Sequence, residues 1–515
     1  MDSQKKETPV KYKVLMVILI IMIGFLLLLL NTSRWIASRS GIGNFEQVIF
    51  TLRAPSIGTS PDVVWDFVWS NVPSVILVVI LVTLLFILSL KWQRQAQRII
   101  AIIAALGIAI LSVFTWHYIL DELHVQAFLE NQQTYSTFIQ EHYVDPRDVE
   151  LVFPDEERNL IHIYLESVEV TFMSTEDGGA FEVNLIPELT ALARENTNFS
   201  QSDESQIGGA LTPINTTWTS AGMFAQTAGL PLNVPVSTDS ILTDALFLTY
   251  EDVPLFPSGI TTLGGILEAQ GYQQVIMMGS DATFGGRRGY FTENGNYEIW
   301  DYHTAIEQGL IPADYHVWWG FEDTKLFSFA QERLMELGAS DQPFNFTMLT
   351  ADTHFEDGFL SPSCEQPFTE QYANVLACSS RQVYDFVRWV QEQPFYKNTT
   401  IVITGDHLTM QSSLSPFWGA FPVPERYDRT VYTVFINPAT LPEVTTNRTY
   451  TTMDLFPTIL ASLGVQIEGE RLGLGTNLFS GETTLVERIG MEELNRKLQL
   501  RSTFFKDFAE EAEGN

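Results

Sequence analysis

Three apolar runs near the start of the chain constrain its architecture more than any other feature. Val14–Leu30 is apolar throughout, Val72–Leu90 is broken only by Pro73, Ser74, Thr83 and Ser89, and Ile99–Trp116 follows closely. Each approaches the roughly 20 residues that cross a bilayer as a helix. Lys5, Lys6, Lys11 and Lys13 precede the first run, as in a cleaved signal peptide. Its apolar core is longer than the roughly 7–15 residues of a signal segment, however, and two more spans follow. Residues 1–120 are therefore expected to form a membrane domain, with transmembrane helices at about 14–30, 72–90 and 99–118.

Orientation follows from basic residues in short loops, which stay cytoplasmic. The four N-terminal lysines and the Lys91–Arg98 loop both belong inside, with Arg34, Arg39 and Arg53 pulling weakly the other way. Three crossings then place everything after about residue 120 outside, in a multi-pass protein of the cell membrane with a cytoplasmic N-terminus. In that oxidising space Cys364 and Cys378 could pair; two buried thiols are the alternative.

Charge is segregated in the same way. The 515-residue chain has a formal net charge of −33. Residues 1–98 carry 10 Lys/Arg against 5 Asp/Glu, and the remainder carries 19 against 57. So acidic an outer part repels polyanions, which argues against a nucleic-acid partner without a compensating basic stripe. Two cysteines exclude a disulfide scaffold and a cysteine-rich zinc module.

Residues 121–158 read as a juxtamembrane helix and an extended linker, 159–480 as the outer domain, and 481–515 as an acidic helical tail with no assigned role. Within 159–480, strands are expected at Asn159–Leu165, Gln274–Met278, Phe344–Thr350, Thr400–Thr404 and Tyr432–Ile436. Helices are expected at Ile186–Glu195, Leu263–Gln270, Glu322–Leu337, Ser379–Gln391 and Met453–Leu463. This alternation predicts an α/β domain around a mainly parallel sheet, preceded by three transmembrane helices.

Ligands of such sheets bind beyond the carboxyl ends of the strands. Polar residues follow four strands directly: Glu166-Ser167, Gly279-Ser280-Asp281, Ala351-Asp352-Thr353-His354 and Gly405-Asp406-His407. Glu166, Asp406 and His407 make a donor set for one divalent cation, Mn²⁺ first, with Mg²⁺ or Zn²⁺ as alternatives. Adjacent Asp406 and His407 can share one ion only where the strand has already ended, which Gly405 permits. Such a site needs a nucleophile, and the Thr- and Gly-rich stretch 208–222 offers hydroxyls just before a helix-like run. Thr219 is the first choice, with Thr216 and Thr217 as alternatives, since a helix N-terminus and a cation both favour an alkoxide. His354 is a candidate acid/base or phosphate contact, and Arg287 a candidate phosphate clamp. His162, inside a strand, reads as a core residue.

Seven stretches, in order, resemble the membrane-bound phosphoglycerol transferases of the alkaline phosphatase–sulfatase superfamily, a group that includes lipoteichoic acid synthase. They are NLIHIYLES (159–167), TSAGMFAQTAGLPL (219–232), WGFED (319–323), LTADTHFEDGF (349–359), the Cys364/Cys378 pair, TIVITGDHLTM (400–410) and LGLG (472–475). The similarity is strongest to the type that decorates periplasmic glucans, and it covers about 159–480.

The resemblance implies a sulfatase-like sandwich and a catalytic Thr219 that also joins Glu166, Asp406 and His407 on the metal. It implies His354 and Arg287 at the glycerol phosphate, phosphatidylglycerol from the membrane lipid as donor, and a glycan or teichoic acid as acceptor. Lipoteichoic acid synthases usually have five spans, which argues against polymer synthesis by a chain with three. Cys378-Ser379-Ser380-Arg381 lacks the spacing and the proline of the C/S-x-P-x-R motif that sulfate-ester hydrolysis needs. Competing readings keep the fold and change the chemistry, to a phosphoethanolamine transferase or a phosphodiesterase. A further reading gives up catalysis for binding of an envelope polymer.

Overall fold

The computed structural model describes residues 10–38, 45–203, 205–233 and 255–505. Lys5, Lys6, Arg39 and residues 506–515 of the expected tail lie outside them. The chain forms two compact units, one from residues up to 45 with 60–128, the other from 46–59 with 129 onward.

The first unit holds helices α1 (Val10–Ser38), α3 (Pro61–Ser89) and α4 (Arg94–Glu122), each 29 residues long and apolar enough to cross a membrane. A helix satisfies its own backbone, which apolar surroundings require. Ser60 starts α3 by accepting a bond from Asp62 N–H, with Pro61 in the first turn. α1 packs on both other helices: Tyr12 shares a 2.8 Å hydroxyl bond with Ser89 of α3, and Met16 and Leu19 join one buried cluster with Ala101 and Ile108 of α4. Helix α2 (Phe45–Arg53) lies between α1 and α3 in sequence, and from Glu46 on it belongs to the second unit.

The second unit is built on a seven-stranded sheet. Its strands are β1 (Asn159–Leu165), β2 (Gly209–Ala210), β3 (Gln273–Met278), β4 (Glu298–Trp300), β5 (Phe344–Leu349), β6 (Thr399–Gly405) and β7 (Val431–Ile436), in spatial order β2-β7-β6-β1-β5-β3-β4. β1 pairs in parallel with β5 and β6, and β3 with β4 and β5; β7 is antiparallel to both neighbours. Alternate residues face opposite sides. Ile161 and Ile163 join one buried cluster with residues of helices α5 (Pro187–Glu195), α9 (Asp323–Leu337) and α10 (Gln371–Gln391). Leu160 joins the other with α7 (Leu263–Ala269) and α11 (Leu455–Ser462). Helix α6 (Thr219–Ala228) lies between β2 and α7 in sequence, and α8 (Arg287–Glu293) between β3 and β4. The second unit is thus an α/β fold around a mostly parallel sheet.

The expected elements are present with small shifts, and four features differ from the sequence pattern. β2 and β4 are too short to leave a periodic signature, and the antiparallel sense of β7 is not written in its own residues. α10 begins at Gln371, eight residues before the expected start, because Tyr372, Val375 and Leu376 extend its buried stripe. The linker and tail are tied to the second unit: Tyr135–Ser136 pairs with Arg501–Ser502, and Leu151–Val152 with Gln466–Ile467. His162 is buried in β1, with Nε2 3.2 Å from Thr404 Oγ1.

Candidate metal centre

The parallel strands end on one rim, and the polar residues that follow them meet there. After β1 the chain turns sharply at Ser167, whose φ is +59°. Glu166 is left 2% exposed, with Thr350 Oγ1 accepting from its N–H at 3.1 Å. β6 stops at Gly405, where a Cβ would come 2.2 Å from Val168 O. Asp406 Oδ1 then accepts from Ser167 N–H at 2.9 Å and from His407 N–H at 2.8 Å. Both side chains after the strand therefore turn to the same point.

Helix α6 brings the hydroxyl. Thr219 is its first residue. The helix can lie this close because Gly222 has no side chain; a Cβ there would come 2.1 Å from Asp406 O. Gln226 fastens it to β6, donating to Gly405 O at 3.0 Å and accepting from Thr404 Oγ1 at 2.7 Å. Thr219 Oγ1 lies 3.2 Å from Glu166 Oε2 and 3.3 Å from His407 Nε2. Thr216, one of the alternatives, gives its hydroxyl to Pro213 O at 2.7 Å.

Glu166, Asp406 and His407 each offer a ligand atom within 4.8 Å of the others. His407 Nε2 is 3.3 Å from Glu166 Oε1 and 3.4 Å from Asp406 Oδ2. Ligands at about 2.0–2.2 Å from a tetrahedral ion stand about 3.3–3.6 Å apart, so these spacings fit one cation. Buried Asp406 Oδ2 has no hydrogen-bond partner among the described residues, the state expected of an atom reserved for a metal. His407 Nδ1 faces Leu408 O at 2.8 Å, which directs Nε2 to the carboxylates.

The electrostatics agree. Burial alone would lower the His407 imidazole, but Asp406 and Glu166 hold it well above its ordinary value. Burial would raise Glu166, yet the imidazoles of His407 and His354 keep it low. Burial and the Glu166 charge push Asp406 up. Two carboxylates out of water draw one positive charge onto Nε2, and a divalent ion would take the place of that proton.

Arg287 begins α8, and His354 lies on the loop after β5. Arg287 is 6% exposed, with Nε donating to Phe284 O at 3.0 Å and Nη2 to Ser280 Oγ at 3.3 Å. Burial pushes it down to about 10 while Glu166, Asp281 and Asp406 oppose that, so it is a cation at neutral pH. His354 stacks on Phe355 at 4.5 Å and meets Trp319 at 4.6 Å, with Nδ1 2.8 Å from Phe355 O. Burial lowers it, and the Glu166 charge opposes this.

The sequence reading missed the braces behind these groups. Asp323, at the start of α9, accepts from the N–H groups of Ala351 and Asp352, at 2.8 and 3.0 Å, and Asp352 returns a bond to Asp323 N–H at 3.1 Å. Glu169, wholly buried, pairs with Arg429 and accepts from Thr409 N–H at 2.8 Å, which steadies the chain after His407. Asp323 and Asp352 both sit in the WGFED and TADTH stretches, where neighbouring acids were the available signal. Cys364 and Cys378 form a disulfide with their Cα atoms 5.6 Å apart, which ties the loop after His354 to α10.

The chain matches the family described as Sulfatase over residues 158–465. It is 31% identical over 339 residues to Phosphoglycerol transferase I of Citrobacter koseri and of Escherichia coli O127:H6, covering 64% of this chain and 40% of each relative. It therefore spans under half the length of these curated relatives. Among solved structures, the lipoteichoic acid synthase LtaP from Listeria monocytogenes is similar, with 16% identity, a TM-score of 0.47, and coverage of 67% of this chain and 80% of that one.

Proposed function

This chain belongs to the sulfatase family, and we propose that within it the protein is a membrane-anchored phosphoglycerol transferase. The observation that carries this reading is the Thr219 hydroxyl standing 3.2 Å from Glu166 and 3.3 Å from His407 at the start of a helix. A hydroxyl so placed is a nucleophile for group transfer, and the sulfatase Cys/Ser motif is absent from the sequence. The similarity to phosphoglycerol transferases at 31% identity supports glycerol phosphate as the group moved.

Glu166, Thr219, Asp406 and His407 would hold one divalent ion. Mn²⁺ is our first assignment, and Zn²⁺ is the alternative that the near-tetrahedral spacing favours. Bound there, the ion lowers the pKa of the Thr219 hydroxyl and neutralises phosphate charge.

The donor is phosphatidylglycerol. Thr219 Oγ1 attacks its phosphorus, the bond to the diacylglycerol oxygen breaks, and a glycerophosphoryl-threonine forms. In the second step the hydroxyl of a glycan or teichoic acid attacks that phosphorus and Thr219 Oγ1 leaves. The proton Thr219 gives up is matched by one the diacylglycerol oxygen takes; the acceptor's proton is matched by one returned to Thr219. His354 Nε2 is the group we place in this relay, because its Nδ1 is committed to Phe355 O. Arg287 holds a phosphate oxygen. We place the transferase domain outside the cytoplasmic membrane, with the N-terminus inside.

Incubation of the full chain with labelled phosphatidylglycerol tests the reading. It should yield diacylglycerol only with metal present, and Thr219→Ala should stop it. Mass spectrometry of the products separates glycerol phosphate transfer from hydrolysis and from a phosphatidylethanolamine donor. A purified protein that holds no metal and turns over none of these lipids would leave only the polymer-binding reading.

A further inference from the structure

Residues 46–59 join the first two apolar helices in sequence, yet they fold in the second unit and touch three loops of the site. The Phe50 ring, 3% exposed, lies 5.4 Å from Trp218, the residue before Thr219, and 6.3 Å from Phe256. Glu46, 5% exposed, accepts a bond from Asn215 Nδ2. Asn215 has a φ of +63° and also donates to Asn233 Oδ1 at 2.9 Å. Gln47 Nε2 donates to Met410 Sδ at 3.4 Å, three residues beyond His407. Gly58, with φ +85°, sits so close to the loop leading to Arg287 that a Cβ would come 2.8 Å from Asp281 Cβ.

These contacts meet a specific need. The stretch from Leu211 to Trp218 is neither helix nor strand, and Trp218 caps α6 without a side-chain hydrogen bond. The start of α6 is held on one side by Ser220 Oγ, which donates to Gly285 O at 2.8 Å, and on the other by what packs against Trp218 and Asn215. An acid is seldom buried without a structural reason. Burial pushes Glu46 up to about 8 against the hydrogen bond from Asn215.

We propose that α2 and the turn after it form a positioning bracket for the transferase site, with Phe50 and Glu46 seating the nucleophile loop so that Thr219 faces Glu166 and His407. These are positioning residues, since none touches the reacting atoms. The inference rests on Thr219 as nucleophile.

The test uses the full chain in detergent and two readouts. In hydrogen exchange, Phe50→Ala should raise exchange across 215–222 about tenfold while 401–407 stays as in the wild type. Unchanged exchange at 215–222, or a uniform rise over the whole second unit, overturns the bracket. In the lipid assay, Phe50→Ala should lower kcat about 10- to 100-fold with KM and metal content within about twofold, and Phe50→Leu should restore most of it. Wild-type kcat in Phe50→Ala also overturns the bracket. A wild type that releases no diacylglycerol overturns the functional reading instead, and the exchange measurement then decides the bracket alone. Should Phe50→Ala not fold, Glu46→Ala carries the same exchange test over 215–222.

Discussion

Thr219 Oγ1 and His407 Nε2 lie 3.3 Å apart although 188 residues separate them in the chain. The contact depends on a glycine at each approach: Gly222 lets α6 reach Asp406 O, and Gly405 lets the end of β6 pass Val168 O. Introducing a Cβ at either would move the hydroxyl from the carboxylates. Gly222→Ala is therefore expected to cut turnover about 100-fold, the scale of a misplacement near 1 Å, while far-ultraviolet circular dichroism stays native.

Thr219→Ala removes the hydroxyl we propose as nucleophile and leaves Glu166, Asp406 and His407 in place. Diacylglycerol release should fall about 10⁴-fold or more, as for other lost nucleophiles. Metal content, read by elemental analysis, should remain close to stoichiometric. Loss of the metal together with activity would make Thr219 a ligand whose removal dismantles the site.

Chelation should lower the melting temperature of the full chain, and His407→Ala should melt like the chelated wild type. An ion at about 100 times its Kd stabilises the folded state by about 2.7 kcal/mol, so the shift is measurable by calorimetry. Equal melting of loaded and chelated wild type would count against a bound ion.

Arg287→Lys keeps the charge and loses the guanidinium fork. A charged hydrogen bond is worth about 1.5–3 kcal/mol, so kcat/KM for the lipid donor should drop about 10- to 150-fold. A drop below twofold would place the arginine in a structural role through its bonds to Phe284 O and Ser280 Oγ.

His162 supplies a pH test remote from the chemistry. Burial in β1 pushes its imidazole down to about 3, from 6.5 in the unfolded chain. The unfolded state therefore binds a proton that the folded state refuses. This group's contribution is complete above about pH 6.5 and is lost as pH falls towards 3. In His162→Gln, which can still bond Thr404, the melting temperature should fall less steeply over that window than in the wild type.

Most of the site was legible because the fold forces it to be local to strand ends. Asn159–Leu165 and Thr400–Thr404 announce themselves by short apolar composition, and Glu166, Asp406 and His407 follow them directly. A parallel sheet puts all such ends on one rim, so their convergence needed no knowledge of strand order. The braces were hidden for the opposite reason. Asp323 and Asp352 bond to each other's backbone, and Glu169 to Arg429, across 29 and 260 residues. An isolated acid carries no mark of its distant partner.

The residues themselves determined the apolar helices, the alternation of strands and helices, and the kinds of ligand available to a cation, because periodicity and side-chain chemistry act over a few neighbours. Only the tertiary structure decided which threonine faces the carboxylates, that β7 runs against its neighbours, and that residues 46–59 fold with the second unit rather than with the helices they connect. Those outcomes depend on close packing between segments far apart in the chain, where one missing Cβ or one buried ring sets a distance that no local pattern encodes.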